Sequence, residues 1–206
     1  MFKVILKTLL LATMLLPAVA NAGPIYEFDS PGNSFTNGSW KFALNFRVLN
    51  TMTVTGLGYY ADPQSGGVDN NAVALFDSQQ NLLASVVVTN QYAIYDLFRY
   101  VTISQLVLGP GVYQIVGVSR GDNYTWNNVN HRFASGIEYV SNSWVQDSNG
   151  IASYVSGAQG DSSYGFAGPN MFVGTPDFTG TVPAPTTLIL LGLGLIGLGM
   201  RRKQAK

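Results

Sequence analysis

The sequence predicts an all-β fold, an antiparallel β-sandwich of jelly-roll-like kind, and three observations carry that expectation. Glycine (23), tyrosine (11) and phenylalanine (11) are abundant, while charged residues make up only 11% of the 206-residue chain. Solvent-facing helices draw on Lys and Glu, whereas aromatic side chains suit a half-buried pleated surface. Apolar residues recur at the short spacing of strands, and no stretch sustains a 3.6-residue period over three turns. Turn-forming clusters punctuate these runs at intervals of roughly 8 to 12 residues, the rhythm of short strands that pair face to face to bury both inner surfaces.

Taken in order, residues 1–22 have the make-up of a secretory signal. Lys3 and Lys7 precede an apolar run from Leu9 to Leu16, then Pro17 and the small-residue ending Ala20-Asn21-Ala22, so Gly23 is the expected first residue after cleavage. Sec-type export machinery and a signal peptidase are the implied partners. A retained anchor is the alternative, although the apolar run is short for a membrane span.

Residues 23–174 form the expected sandwich ectodomain. Its predicted strands are Trp40–Phe46, Met52–Tyr60, Ala72–Asp77, Leu82–Thr89, Leu97–Leu108, Gly111–Ser119 and Ile137–Val140. Between them fall Asp62-Pro63 with Gly66-Gly67, Ser78-Gln79-Gln80-Asn81, Gly109-Pro110-Gly111 and Gly121-Asp122-Asn123, each a turn former. The polar stretch from residue 121 onward predicts long loops with one or two further strands, ending near Met171-Phe172-Val173. Trp40, Phe42, Phe76, Phe98 and Tyr113 sit on strand patterns and are assigned to the core. Arg99 is expected to pair with a carboxylate on its strand face.

Residues 175–181 read as a short spacer and 182–206 as a tail with a membrane-spanning helix at about 187–200. Val182-Pro183-Ala184-Pro185 precedes the apolar run Leu188 to Met200, and Arg201-Arg202-Lys203 follows as a basic stop. A span of about 20 apolar residues closed by Lys and Arg is the logic of an anchor whose basic end stays in the cytoplasm. This arrangement resembles the PEP-CTERM sorting domain, with Pro183 and Pro185 matching its signature and Ala184 standing where that family usually has Glu.

The resemblance implies recognition by an exosortase, passage through the inner membrane, removal of the tail, and delivery to the cell surface or extracellular matrix of a Gram-negative bacterium. It further implies association with exopolysaccharide or biofilm. An anchor that is never cut remains the alternative. Within the ectodomain, Val54-Thr55-Gly56-Leu57-Gly58-Tyr59, Leu75-Phe76-Asp77 with Asn81-Leu82-Leu83-Ala84, Phe98-Arg99-Tyr100-Val101 and Leu108-Gly109-Pro110-Gly111-Val112-Tyr113 are similar to a β-sandwich that recurs among PEP-CTERM proteins.

Charge and cysteine usage narrow the function. Between residues 23 and 200, five basic residues stand against all eleven acidic ones, a balance of −6. A surface of that sign repels phosphate backbones, which argues against nucleic acid as partner and leaves divalent cations and neutral glycans open. The chain has no cysteine, so disulfides and thiolate chemistry are excluded.

Asp62, Asp69 and Asn71 in one Gly-bearing loop, with Asp77 closing the next strand, are candidate oxygen ligands for Ca²⁺. The competing reading is that Asp and Asn simply form solvated turns. Tyr124, Trp126 and Trp144, flanked by asparagines, are candidate glycan-stacking residues, with inward packing as the alternative for the tryptophans. The one histidine, His131, has no G-x-S-x-G or comparable nucleophile motif beside it, and no carboxylate pair marks a glycosidase. The expectation is therefore a non-catalytic surface or matrix protein, with an extracellular polysaccharide-processing enzyme as the alternative.

Overall fold

The computed structural model describes residues 22–35, 37–64, 69–157 and 166–175. The signal segment through Asn21, the sorting residues Val182 to Pro185, the basic stop Arg201 to Lys203 and the expected span at 187–200 lie outside the described residues. The chain divides into two units, Met1–Pro176 and Asp177–Lys206, and the account that follows concerns the first.

Fourteen strands are formed: β1 (Gly23–Pro24), β2 (Tyr26–Glu27), β3 (Asn33–Phe35), β4 (Trp40–Val48), β5 (Met52–Tyr60), β6 (Asn71–Asp77), β7 (Leu82–Val88), β8 (Ile94–Tyr95), β9 (Phe98–Leu108), β10 (Gly111–Val118), β11 (Tyr124–Trp126), β12 (Arg132–Phe133), β13 (Ile137–Gln146) and β14 (Pro169–Val173). The described residues contain no helix, and hence none long and apolar enough to cross a membrane. Two five-stranded sheets have the orders β1-β14-β5-β9-β8 and β13-β4-β10-β6-β7, and two-stranded ribbons pair β11 with β3 and β12 with β2. Every pairing is antiparallel.

The topology is that of a jelly roll. Numbering β1, β4, β5, β6, β7, β9, β10 and β14 as eight successive strands, the sheets contain the orders 1-8-3-6 and 2-7-4-5, the interleaved Greek keys of that fold. β8 and β13 are additions at the sheet edges. The sheets meet face to face where β10 packs on β14 and β5 on β6. The core between them includes Val54, Leu57, Tyr59, Val73, Leu75, Ile115 and Met171, all completely buried.

The sequence motifs lock this fold at identifiable places. Gly58 pairs with Tyr100 across β5 and β9, and the Tyr100 ring lies so close that a Cβ on Gly58 would be 2.5 Å from Tyr100 Cδ1. At the arch between β9 and β10, the Tyr113 hydroxyl donates to the Gly109 carbonyl at 3.0 Å, and its ring covers Gly111. In the β6–β7 hairpin, Asp77 Oδ1 accepts from the backbone N–H of Gln79 and Asn81, each at 2.9 Å. Asp77 Oδ2 accepts from Asn81 Nδ2, also at 2.9 Å.

The seven predicted strands all form, with end shifts of one or two residues except in β13. That strand runs on to Gln146 through a bulge between Tyr139 and Ser141. The bulge breaks the alternation, so Ser141-Asn142-Ser143 read as loop, yet Asn142 and Ser143 are buried. Ser143 Oγ donates to the Gly157 carbonyl at 2.6 Å.

Of the aromatic residues assigned to the core, Phe42, Phe76 and Phe98 are buried, whereas Trp40 and Tyr113 are half-buried. Trp40 begins its strand and turns Nε1 toward Asn37 Oδ1 at 2.9 Å. Arg99 donates Nη1–H to the Tyr92 carbonyl at 2.6 Å.

A second apolar cluster covers the outer face of the β4–β10–β6 sheet. Ala152 and Val155 pack with Ala43, Ala74, Phe76, Val116 and Val118. The buried Gln114 fastens this segment from both sides: its Nε2 donates to the Val155 carbonyl at 3.0 Å, and its Oε1 accepts from Val155 N–H at 2.8 Å.

Candidate functional site

The strand registers sort the loops into two ends of the sandwich. Val173 pairs with Gly23 and with Val54, and Pro169 with Tyr59, so Gly23 and Gly174 both lie at the Met52 end of β5. The loops after Tyr60 lie at the other end, about 27 Å away along a nine-residue strand. Gly117 of β10 sits against Tyr59 and Pro169, which brings the starts of β4 and β6 and the turn after β10 to that same far end.

Three acidic residues gather there, Asp62 and Asp69 from the β5–β6 connection and Asp122 from the turn after β10. Asp62 is 2% exposed, Asp122 9% and Asn71 0%. Asp62 Oδ1 accepts from Gln64 N–H at 2.9 Å, as an Asx-type turn requires, and Asp62 Oδ2 accepts from Asn123 Nδ2. Asp122 Oδ2 accepts from Asp69 N–H at 2.5 Å, while the Asp69 carboxylate lies over Gly121.

Burial pushes the Asp122 carboxyl above its usual range, and the charges of Asp69 and Asp62 add to that. Asn71 donates Nδ2 to the carbonyls of Val118 and Ser119 at 2.9 and 3.1 Å, and its side chain also reaches Asp122 as a hydrogen-bond donor, which favours that residue's charged form. Asn71 Oδ1 is buried without a partner, as is the hydroxyl of Tyr59. Burial raises the Tyr59 hydroxyl well above its ordinary value, with the charge of Asp122 adding to the effect.

The four residues first considered as Ca²⁺ ligands do not form one site. Asp62, Asp69 and Asn71 come to the far end. Asp77 is six residues from Asn71 along β6, about 20 Å away, and its carboxylate closes the β6–β7 turn. Asp122 takes its place in the cluster, a residue that sequence spacing could not connect to Asp62: the pairing of β6 with β10 sets its turn beside Asn71, and the packing of Gly117 on Tyr59 sets it at the end of β5 where Asp62 lies. Among the described residues no three acidic or histidine side chains could hold a metal by themselves.

The aromatic candidates do converge, on a residue not singled out from the sequence. Phe166 stacks on Trp126 with centroids 5.9 Å apart and rings inclined by 19°. It meets Trp144 edge-on at 5.3 Å, Tyr124 at 5.4 Å and Phe42 at 5.2 Å. Tyr124 is buried, its hydroxyl donating to Asn37 Oδ1 at 2.8 Å, so it serves packing rather than an open surface. Trp126, Trp144 and Phe166 are half-buried. Since Trp144 pairs with Phe42 near the start of β4, this patch also lies toward the far end. His131 is held near the ribbons, its Nδ1 3.3 Å from the Asn128 carbonyl.

No curated protein matches the chain. Residues 181–203 match the PEP-CTERM protein-sorting motif. That motif marks an exported protein with a C-terminal membrane-anchor sorting signal processed by an exosortase. The chain thus carries a PEP-CTERM protein-sorting motif at residues 181–203 after an all-β ectodomain, and that motif implies export and sorting by an exosortase.

Proposed function

We propose that the sandwich is a non-catalytic surface or matrix module that holds neutral exopolysaccharide through the patch of Trp126, Trp144 and Phe166. The observation that carries this reading is the convergence of two half-buried tryptophans from separate strands on one phenylalanine, an aromatic cluster flanked by asparagines. A sugar ring stacks its C–H face on the accessible part of such aromatic rings while amides take its hydroxyls. The acidic balance of the body suits a neutral glycan better than an anionic one.

The test is affinity electrophoresis of the full-length protein in gels containing soluble β-glucan, dextran or galactomannan, alongside an assay for new reducing ends. Retardation by at least one glycan is expected, weakened about tenfold or more in Trp126→Ala and Trp144→Ala, with no reducing ends released. Absence of retardation in all three gels, or retardation unchanged in both variants, would overturn the glycan reading. Release of reducing ends would instead establish a polysaccharide-processing enzyme.

A further inference from the structure

We propose that two copies of the chain pair edge to edge through β7, antiparallel across a two-fold axis, so that their sheets join into one continuous sheet. The observation is a contrast among the strand edges. A free edge invites any unpaired strand, and proteins blunt it with shortness, proline, charge or bulges. β1 and β8 have two residues each, and β1 contains Pro24. β9 is covered at its start by β8 and is irregular against β5 between the Val54 and Gly56 pairs. β13 carries Glu138 and a bulge between Tyr139 and Ser141. Along residues 84–88, β7 has none of these devices, only an unbroken register with β6. Its other edge pairs with no strand among the described residues, since β9 packs near it from the opposite sheet without extending its ladder.

Charge and side-chain chemistry name the occupant. Between Asp77 and Asp96 the chain has no charged residue, although the body as a whole is acidic. In a two-fold contact each surface meets its own copy, so a charged edge would face like charge and a neutral one does not. By register, Leu82 and Val87 stand opposite Phe76 and Ala72, on the outer face that Ala152 and Val155 cover nearer the middle of the sheet. That cover leaves Leu82 58% and Val87 52% exposed. A two-fold axis perpendicular to the sheet keeps this face on the same side in both copies. The Leu82 and Val87 side chains of the two copies then screen one another while backbone N–H and C=O groups continue the ladder. β7 and β13 are opposite edges of their sheet, and Trp144 stands on β13. The pair therefore leaves both aromatic patches open at its outer ends, the arrangement of a bivalent cross-linker for a glycan held there; the pairing itself does not rest on the glycan reading.

The experiment is sedimentation velocity of the full-length chain in detergent from about 1 to 200 µM, a range that brackets micromolar association. The protein mass should double as concentration rises. Ser85 and Val87 are exposed on β7, and Ser85→Lys and Val87→Lys should each raise the dissociation constant about tenfold or more by setting ammonium groups along the shared edge. Circular dichroism of both variants should match that of the unsubstituted chain. Because the chain has no cysteine, Ser85→Cys supplies a single thiol that a short bismaleimide should join into a covalent dimer. Gln146→Cys, on the opposite edge of the sheet, should stay largely monomeric under the same treatment. A chain that is monomeric throughout the range would overturn the proposal. So would association unchanged in both lysine variants, as contact through the sorting tail would give, or cross-linking no better at Ser85→Cys than at Gln146→Cys.

Discussion

Asp77 and Asp122 show how one residue type takes opposite roles according to its neighbours. Asp77 is solvent-facing and its carboxylate is held below the usual range, first by the Asn81 side chain and then by backbone N–H groups of the same turn. Asp122 is held above it, because burial and two neighbouring acids disfavour its charge. A carboxyl whose folded-state pKa is raised binds more protons folded than unfolded, so its contribution falls as pH rises. Unfolding midpoints should therefore decline as pH climbs from the ordinary carboxylate range through the raised value of Asp122, and Asp122→Asn should flatten that decline. Melting curves between pH 4 and 8 test this, and an unchanged slope in the variant would remove Asp122 as its source. From sequence the two aspartates look alike, each following a strand and preceding a polar turn.

At the scale of elements, the two sheets approach closely because β10 offers a glycine where β5 offers an aromatic ring. A Cβ on Gly117 would lie 2.7 Å from Tyr59 Cε2 and 2.9 Å from Pro169 Cβ. Both obstacles belong to packed side chains of the opposite sheet, so neither gives way without moving a strand. Gly117→Ala should cost about 1 to 3 kcal/mol, the range for overpacking a filled core. Urea unfolding checks it, and a cost below about 0.5 kcal/mol would mean that the sheets can separate slightly without penalty.

The long strands were legible because their apolar alternation survives in the sequence. The two- and three-residue strands β1, β2, β3, β8, β11 and β12 were not, since a pair or triplet of residues carries no period. β13 was half-read for a different reason: its bulge shifts the alternation at the point where buried polar residues replace apolar ones. The Trp126–Trp144 patch was legible only as a set of nearby aromatic residues. Phe166, on which they meet, lies in a glycine-rich stretch with no pattern of its own.

For the whole molecule, the pairing of β1 with β14 places Gly23 and Gly174 side by side. The residue that should follow signal cleavage thus starts the first strand of the sandwich, beside the point where the chain leaves for its sorting motif. Intact mass of the native protein should show a species beginning at Gly23 and lacking the residues after about Pro185. Retention of Arg201 to Lys206 would mean that the tail is an uncut anchor, with Ala184 in place of the usual Glu as the first suspect. A chain truncated before Val182 should appear in the medium.

The features legible from the chain alone are those written locally: strand alternation, turn chemistry, and the ordered Pro-containing, apolar and basic parts of the sorting tail. These signals act over a few residues or are recognised as linear stretches, so no fold is needed to read them. Tertiary structure alone decided which turns share an end of the sandwich. It separated Asp77 from Asp62 and brought Asp122 in, because the antiparallel register of β6 and β10 joins positions about 40 residues apart while a single strand holds its two ends about 20 Å apart.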